Sequence, residues 1–242
     1  EGDHKVHDRS EDLFTSTTFD LLGYVAPEEG MLKVLAHACT VRLTDDGALL
    51  DSPLLDLAGV RSYSVTFWPR WGVYGEPDLL VTLLDDQSRA VALVVIEVKL
   101  YSPKSSSAEE GTDYEPSVPD QDQLTRYAQG LANEAGVLPH AIIYLTAHSV
   151  PPVDELADSL RRRSNTRLGW LSWYDVHEVA DGSTSRPLRH LADLLAHKGL
   201  RRFNGWTVKR TFTASRRRWF QKVPPTLPTS GSFFKLSTGA TP

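Results

Sequence analysis

Sulfur is nearly absent from this chain: Cys39 and Met31 are the only cysteine and methionine in 242 residues. A single cysteine excludes an internal disulfide and a cysteine-built zinc site. It reads instead as a small buried hydrophobe in an apolar helical pattern, and points to a reducing, cytoplasmic setting. Long apolar runs are also missing. None approaches the roughly 20 residues that span a bilayer, and the charged start lacks a signal-peptide core, so no membrane association is expected. The first residue is Glu1 rather than Met, as in a trimmed or partial chain. The eight histidines have no zinc-like spacing. There is no glycine-rich phosphate loop and no G-x-S-x-G nucleophile motif, which sets aside ATP use by this chain and serine-hydrolase chemistry.

Acid is absent from one end. No Asp or Glu follows Asp193, while ten Lys or Arg run from Lys198 to Lys235. The overall charge of −5 therefore hides a basic terminus on an acidic body. Such a split suits contact with a polyanion, and suits equally a solvated basic tail.

What remains is an ordinary globular chain, 40% hydrophobic and 24% charged. Residues 1–12 read as a polar, disordered lead-in, residues 13–200 as the main domain and 201–242 as a basic, aromatic extension. Helices are expected over Phe19–Tyr24 and from Pro27 to about Ala38, with 42–60 mostly loop. Ser62–Trp68 alternates as a strand. After a Ser/Pro/Glu-rich loop at 102–119, a helix is expected over Gln121–Ala132, a strand over Ala141–Thr146 and a helix over Val153–Arg163. Another strand follows at Leu168–Trp173, then a helix at Leu188–His197. This order predicts an α/β fold with a mixed sheet flanked by helices.

The chemistry concentrates in Leu79–Leu84 and Ala90–Ile96, two apolar runs separated by Asp85-Asp86-Gln87-Ser88-Arg89. As an antiparallel hairpin centred between Gln87 and Ser88, they put Leu84 opposite Val91 and Asp78 opposite Glu97. Opposed side chains lie within about 5 Å. Lys99 shares the face of Glu97, two residues along. Buried charges need partners or a metal, and two carboxylates with a lysine outline a metal-dependent phosphodiesterase. Asp78 and Glu97 would hold Mg²⁺, with Mn²⁺ as substitute, helped by the Val98 carbonyl. Lys99 would polarise the attacking water and offset phosphate charge. The competing reading is a plain Glu97–Lys99 pair with Asp78 capping a turn.

Pro77-Asp78, eighteen residues, then Glu97-Val98-Lys99 resembles the PD-(D/E)xK nuclease signature. Gln123-Leu-Thr-Arg-Tyr127 resembles the Q-x-x-x-Y motif of that superfamily's RecB-like and Cas4-like branch. The likeness covers about residues 27–147. It implies a restriction-endonuclease-like α-β-β-β-α-β core, with Gln123 and Tyr127 on a helix face looking onto the metal. It also implies an acid on the first helix, here Glu29 ahead of Glu28, although a first-turn acid complementing the helix dipole fits as well. Tyr127 reads equally as a core residue, and Glu76 as an accessory ligand or a solvated turn carboxylate.

In the extension, Arg201, Arg202, Lys209, Arg210, Arg216, Arg217, Arg218, Trp219 and Lys222 could track phosphates and stack bases. Packing against the core is the competing reading. The expectation is a Mg²⁺-dependent deoxyribonuclease of defence, restriction or DNA processing, alone, as a homo-oligomer or in a larger complex. The rivals are a catalytically silent nucleic-acid-binding subunit and an RNA-directed nuclease.

Overall fold

In the computed structural model, the expected hairpin forms the inner part of a seven-stranded mixed sheet. The structure describes residues 2–44, 47–100, 122–162 and 167–203. The chain divides at Arg202: Glu1–Arg202 form one compact unit and Phe203–Pro242 a second, of which only Phe203 is described.

The strands are β1 (Cys39–Thr44), β2 (Gly47–Pro53), β3 (Ser62–Phe67), β4 (Leu79–Leu84), β5 (Ala90–Lys99), β6 (His140–Thr146) and β7 (Arg167–Ser172). They lie in the order β2-β1-β7-β6-β5-β4-β3. β3, β4 and β5 are antiparallel neighbours, whereas β5, β6 and β7 run parallel. The parallel trio needs crossovers. These are helices α3 (Gln123–Ala135) and α4 (Val153–Arg162).

The remaining helices are α1 (Gly2–Gly23), α2 (Met31–Leu35), α5 (Trp173–Asp181) and α6 (Arg186–His197). On one face of the sheet, Phe14, Phe19 and Leu22 of α1 share a core with Leu35, Trp173, Val176, Leu191 and Leu195. On the other, Leu124, Tyr127 and Leu131 of α3 and Leu156 of α4 meet Val95, Ile142, Tyr144 and Trp170. The central strands are thus buried on both faces, which is why β5 and β6 read as continuous apolar runs.

Four expectations are corrected. Residues 2–12 form the first turns of α1, whose apolar residues at 14, 19 and 22 dock the helix from its second half. The helix expected from Pro27 shrinks to α2. Cys39 opens a strand rather than continuing that helix, and the loop expected over 42–60 holds the rest of β1 and β2. Asp45-Asp46-Gly47 between them is a hairpin signal. Trp173, expected to end a strand, opens α5, which is started by a capping box between Ser172 and Asp175. The expected loop at 102–119 lies outside the described residues.

Candidate active site

The hairpin register is the expected one from Leu79–Ile96 to Leu83–Ala92, and shifts at Leu84, which meets Ala90 instead of Val91. Continued one step past Leu79–Ile96, it sets Asp78 against Glu97. Beyond that point β5 outruns β4, and its outward N–H groups lose their ladder partners. Two carboxylates take them. Val98 N donates to Asp78 Oδ2 at 2.7 Å, and Leu100 N donates to Glu11 Oε1 at 2.6 Å. Buried N–H groups need acceptors, and side chains supply them here from one residue before β4 and from α1.

Glu97 and Lys99 point to the α3 side of β5. Lys99 Nζ lies 3.0 Å from Glu97 Oε1, with only 2% of the glutamate side chain exposed. Glu97 Oε2 is buried with no hydrogen-bond partner among the described residues. Burial, and then the charge of Asp78, push the Glu97 carboxyl well above its ordinary range, against the pull of Lys99. Burial likewise raises Asp78, although the Val98 N–H and Lys99 work to lower it. Burial tends to lower the Lys99 ammonium, but Glu97, Asp78 and Glu11 together raise it, so it remains a cation.

Helix α3 begins at Asp122, whose side chain accepts the Thr125 N–H, and its first turn carries the glutamine motif. Gln123 Nε2 donates to the Tyr127 hydroxyl at 2.9 Å, and that hydroxyl donates to the Glu76 carbonyl, also at 2.9 Å. Gln123 Oε1 is buried without a partner among the described residues. Burial and then the charge of Glu97 raise the Tyr127 phenol far above its ordinary value, which places the ring in the field of the carboxylates. Tyr127 is therefore both a core residue and a clamp on the segment leading into Asp78. Gly75, at φ 97°, permits the close approach, since a Cβ there would lie 3.1 Å from the tyrosine ring. The Glu76 carboxylate turns away to Arg70, 3.2 Å off and largely exposed.

The structure thus brings together Asp78, Glu97, Val98 and Lys99, with Gln123 and Tyr127 behind them. Glu29 is exposed in the turn before α2 and shares in none of these contacts. The acid that acts on the cluster from the N-terminal region is Glu11. Sequence reasoning missed it because it stands 89 positions from its partner Leu100 in a stretch without apolar periodicity. Of the expected nucleic-acid contacts, Arg201 is exposed and Arg202 pairs with Asp175 in the first turn of α5. Lys209, Arg210, Arg216, Arg217, Arg218, Trp219 and Lys222 lie outside the described residues.

No protein-family model, curated protein sequence or solved structure matches the chain.

Among the described residues, no group of three or more His, Cys, Asp or Glu side chains is gathered closely enough to hold an ion by itself. No described helix is long and apolar enough to cross a membrane. The donor set nevertheless fits a hard cation. Mg²⁺ commonly takes one or two carboxylates and completes its shell with water and phosphate oxygens. The partnerless Glu97 Oε2 beside Asp78 is such a pair.

One further residue adjoins the cluster. Trp68 follows β3 with φ 49°, a left-handed conformation that is rare for a bulky side chain and costs on the order of 1–3 kcal/mol.

Proposed function

We propose that this chain is a Mg²⁺-dependent nuclease of the PD-(D/E)xK type that hydrolyses phosphodiester bonds of DNA. The observation that carries the reading is Glu97: a buried carboxylate with one oxygen on Lys99 and the other partnerless, beside a second raised carboxylate at the open end of a strand. A purely structural Glu–Lys pair gains nothing from a second carboxylate whose charge opposes the ionisation of Glu97. The fold adds support. Three antiparallel strands, β3 to β5, lead through helix α3 to β6 parallel to β5, the order of strands and helix in a restriction-endonuclease-like core.

Each residue has a distinct part. Asp78 and Glu97 would hold the metal, which when bound supplies positive charge to the phosphoryl oxygens and makes bound water more acidic. The Val98 N–H fixes one oxygen of Asp78, so that the carboxylate cannot swing away. Lys99, kept protonated by Glu97, offsets phosphate charge and orients the attacking water by donating to it. Tyr127 and Gln123 set the position of the segment before Asp78. Water adds at phosphorus and releases a proton to solvent, the phosphorus–oxygen bond to the leaving strand breaks, and the departing oxygen takes a proton from solvent. Defence, restriction or DNA processing in the cytoplasm is the setting such an activity suits.

The second reading is a catalytically silent nucleic-acid-binding subunit. It is favoured by the absence, among the described residues, of a carboxylate group able to hold an ion unaided. Incubation of the full chain with linear and circular DNA in Mg²⁺ or Mn²⁺ separates the two, with Glu97→Gln as control. Cleavage lost in the variant supports the nuclease. Binding without cleavage by the wild type would overturn it.

A further inference from the structure

We propose that β3, an edge of the sheet, pairs antiparallel with β3 of a second copy of this chain, so that two sheets merge into one across a twofold axis at Val65. The inference goes beyond the nuclease reading and needs none of it.

The hydrogen-bond phase of β3 shows which backbone groups are open. Among the described strands β3 ends the order, with β4 beside it. The two pair without a register shift, from Ser62 with Leu84 to Phe67 with Leu79. One step further, the Trp68 N–H donates to the Asp78 carbonyl at 3.0 Å. Opposed residues in an antiparallel pair alternate between exchanging hydrogen bonds and not exchanging them. Thr66, Ser64 and Ser62 are in phase with Trp68 and exchange theirs with β4. The N–H and C=O groups of Tyr63, Val65 and Phe67 point the other way and have no partner among the described residues.

Nothing on this strand keeps another strand off. Natural sheets guard an edge with charge, proline or a bulge. Ser62-Tyr-Ser-Val-Thr-Phe67 has neither charge nor proline, and its pairing with β4 contains no bulge. Ser64 and Thr66 are exposed on one face. On the other, Tyr63, Val65 and Phe67 lie half-buried against the α1-side core. They floor an open groove of about 330 Å³ lined also by Phe19 and Asp20 of α1 and by Tyr24. Tyr24 is 77% exposed.

The complement of this edge is the edge itself. A twofold interface sets the same patch on both partners, so that each contact is made twice. A register centred on Val65 takes up every open group: Tyr63 meets the second copy's Phe67, Val65 meets its own counterpart, and Phe67 meets Tyr63. A centre at any other residue leaves part of the set unpaired. The side chains agree with that register. Aromatic meets aromatic and valine meets valine on the α1 side, while Ser64 meets Thr66 on the other, all favourable cross-strand pairs. An uncharged strand also meets no repulsion from its copy. The Tyr63 hydroxyl donates to the Leu22 carbonyl at 3.3 Å. Tyr24 therefore stands at the Tyr63 end of the groove, where the second copy's Phe67 arrives to cover it.

The test uses the full chain without nucleic acid. Sedimentation equilibrium should give the mass of a dimer. Val65→Pro removes an outward N–H and no bond to β4, a position where edge strands accept proline. It should return the chain to a monomer with unchanged circular dichroism. Tyr24→Ser, on an exposed residue, should raise the dissociation constant about 10-fold.

Disulfides read the register in a Cys39→Ser background. Val65→Cys should cross-link to its counterpart, whose Cα lies about 5.5 Å away. Ser64→Cys alone should not, because its counterpart is displaced to about 7–8 Å. Mixed Ser64→Cys and Thr66→Cys chains should cross-link to each other. Should Val65→Pro lose its circular dichroism, Tyr24→Ser and the cross-links still decide. A monomer at every concentration would overturn the inference and leave the edge to a strand of another protein. A dimer that survives Val65→Pro and forms no Val65→Cys cross-link would overturn it too, because the copies then meet elsewhere.

Discussion

Asp78 closes the hydrogen-bond ladder of a strand it does not belong to: its carboxylate accepts the N–H of Val98 at 2.7 Å, where β4 no longer reaches. One oxygen thus has a structural duty. Asp78→Asn can still accept that N–H through its amide oxygen and should shift stability by less than about 1 kcal/mol. Asp78→Ala leaves a buried donor unpaired and should destabilise by about 1–3 kcal/mol. Neither variant should cleave DNA. Urea denaturation alongside a cleavage assay separates the two duties, and full turnover by Asp78→Asn would remove Asp78 from the metal site.

The Glu97–Lys99 pair should show strong coupling. Above about pH 8, where Glu97 is ionised, Lys99→Met strips the buried glutamate of its cation and should destabilise by about 3 kcal/mol or more. Combined with Glu97→Gln, much of that loss should return, because no unpaired charge is left inside. Both single variants should lose turnover. Wild-type turnover in Lys99→Met would show that the ammonium is dispensable.

Stability should respond to pH in a direction opposite to the usual acid denaturation. Burial first, and then mutual repulsion, push Glu97 up to about 8, and burial pushes Asp78 up to about 6. An unfolded chain has both near 4. Between about pH 4 and pH 8 the folded protein therefore binds more protons than the unfolded one, and this part of its stability falls as pH rises, levelling off above the folded values. Metal-free wild type should lose more melting temperature from pH 5 to pH 8 than Glu97→Gln does. Mg²⁺ should restore the loss at pH 8, because it binds the ionised pair. Melting curves at pH 8 that ignore both Mg²⁺ and Mn²⁺ would sink the metal assignment.

The acid-free terminus carries its own expectation. If Arg216, Arg217 and Arg218 contact phosphates, changing all three to Ala should flatten the plot of log affinity against log salt. The slope falls by about 0.9 per lost contact on duplex and about 0.7 on single strands. Affinity should fall alike for every sequence. Titrations at several salt concentrations measure this, and an unchanged slope assigns the arginines another role.

What could be read in advance was whatever repeats at short range. The hairpin register followed from two apolar runs and the turn between them, and it already brought Asp78 to Glu97. Gln123 and Tyr127 lie four apart, so any helix there puts them on one face. The strand opened by Cys39 was hidden because its residues continue a helical apolar spacing begun at Met31. Helix α5 was overlooked although Ser172 and Asp175 spell its capping box. Glu11 had no local signal at all, because its acceptor role exists only once α1 is docked.

That docking has a consequence for when the cluster exists. Helix α1 is held largely by the far end of the domain: Phe14 lies 5.1 Å from the Trp173 ring, Lys198 sits over the Phe14 ring, and α1 packs on α6. The Glu11 carboxylate can reach Leu100 only once helices far downstream of it in the chain have come to hold α1. A growing chain carries Asp78, Glu97 and Lys99 before it carries α5 and α6, so the cluster is completed only after those two helices have been made.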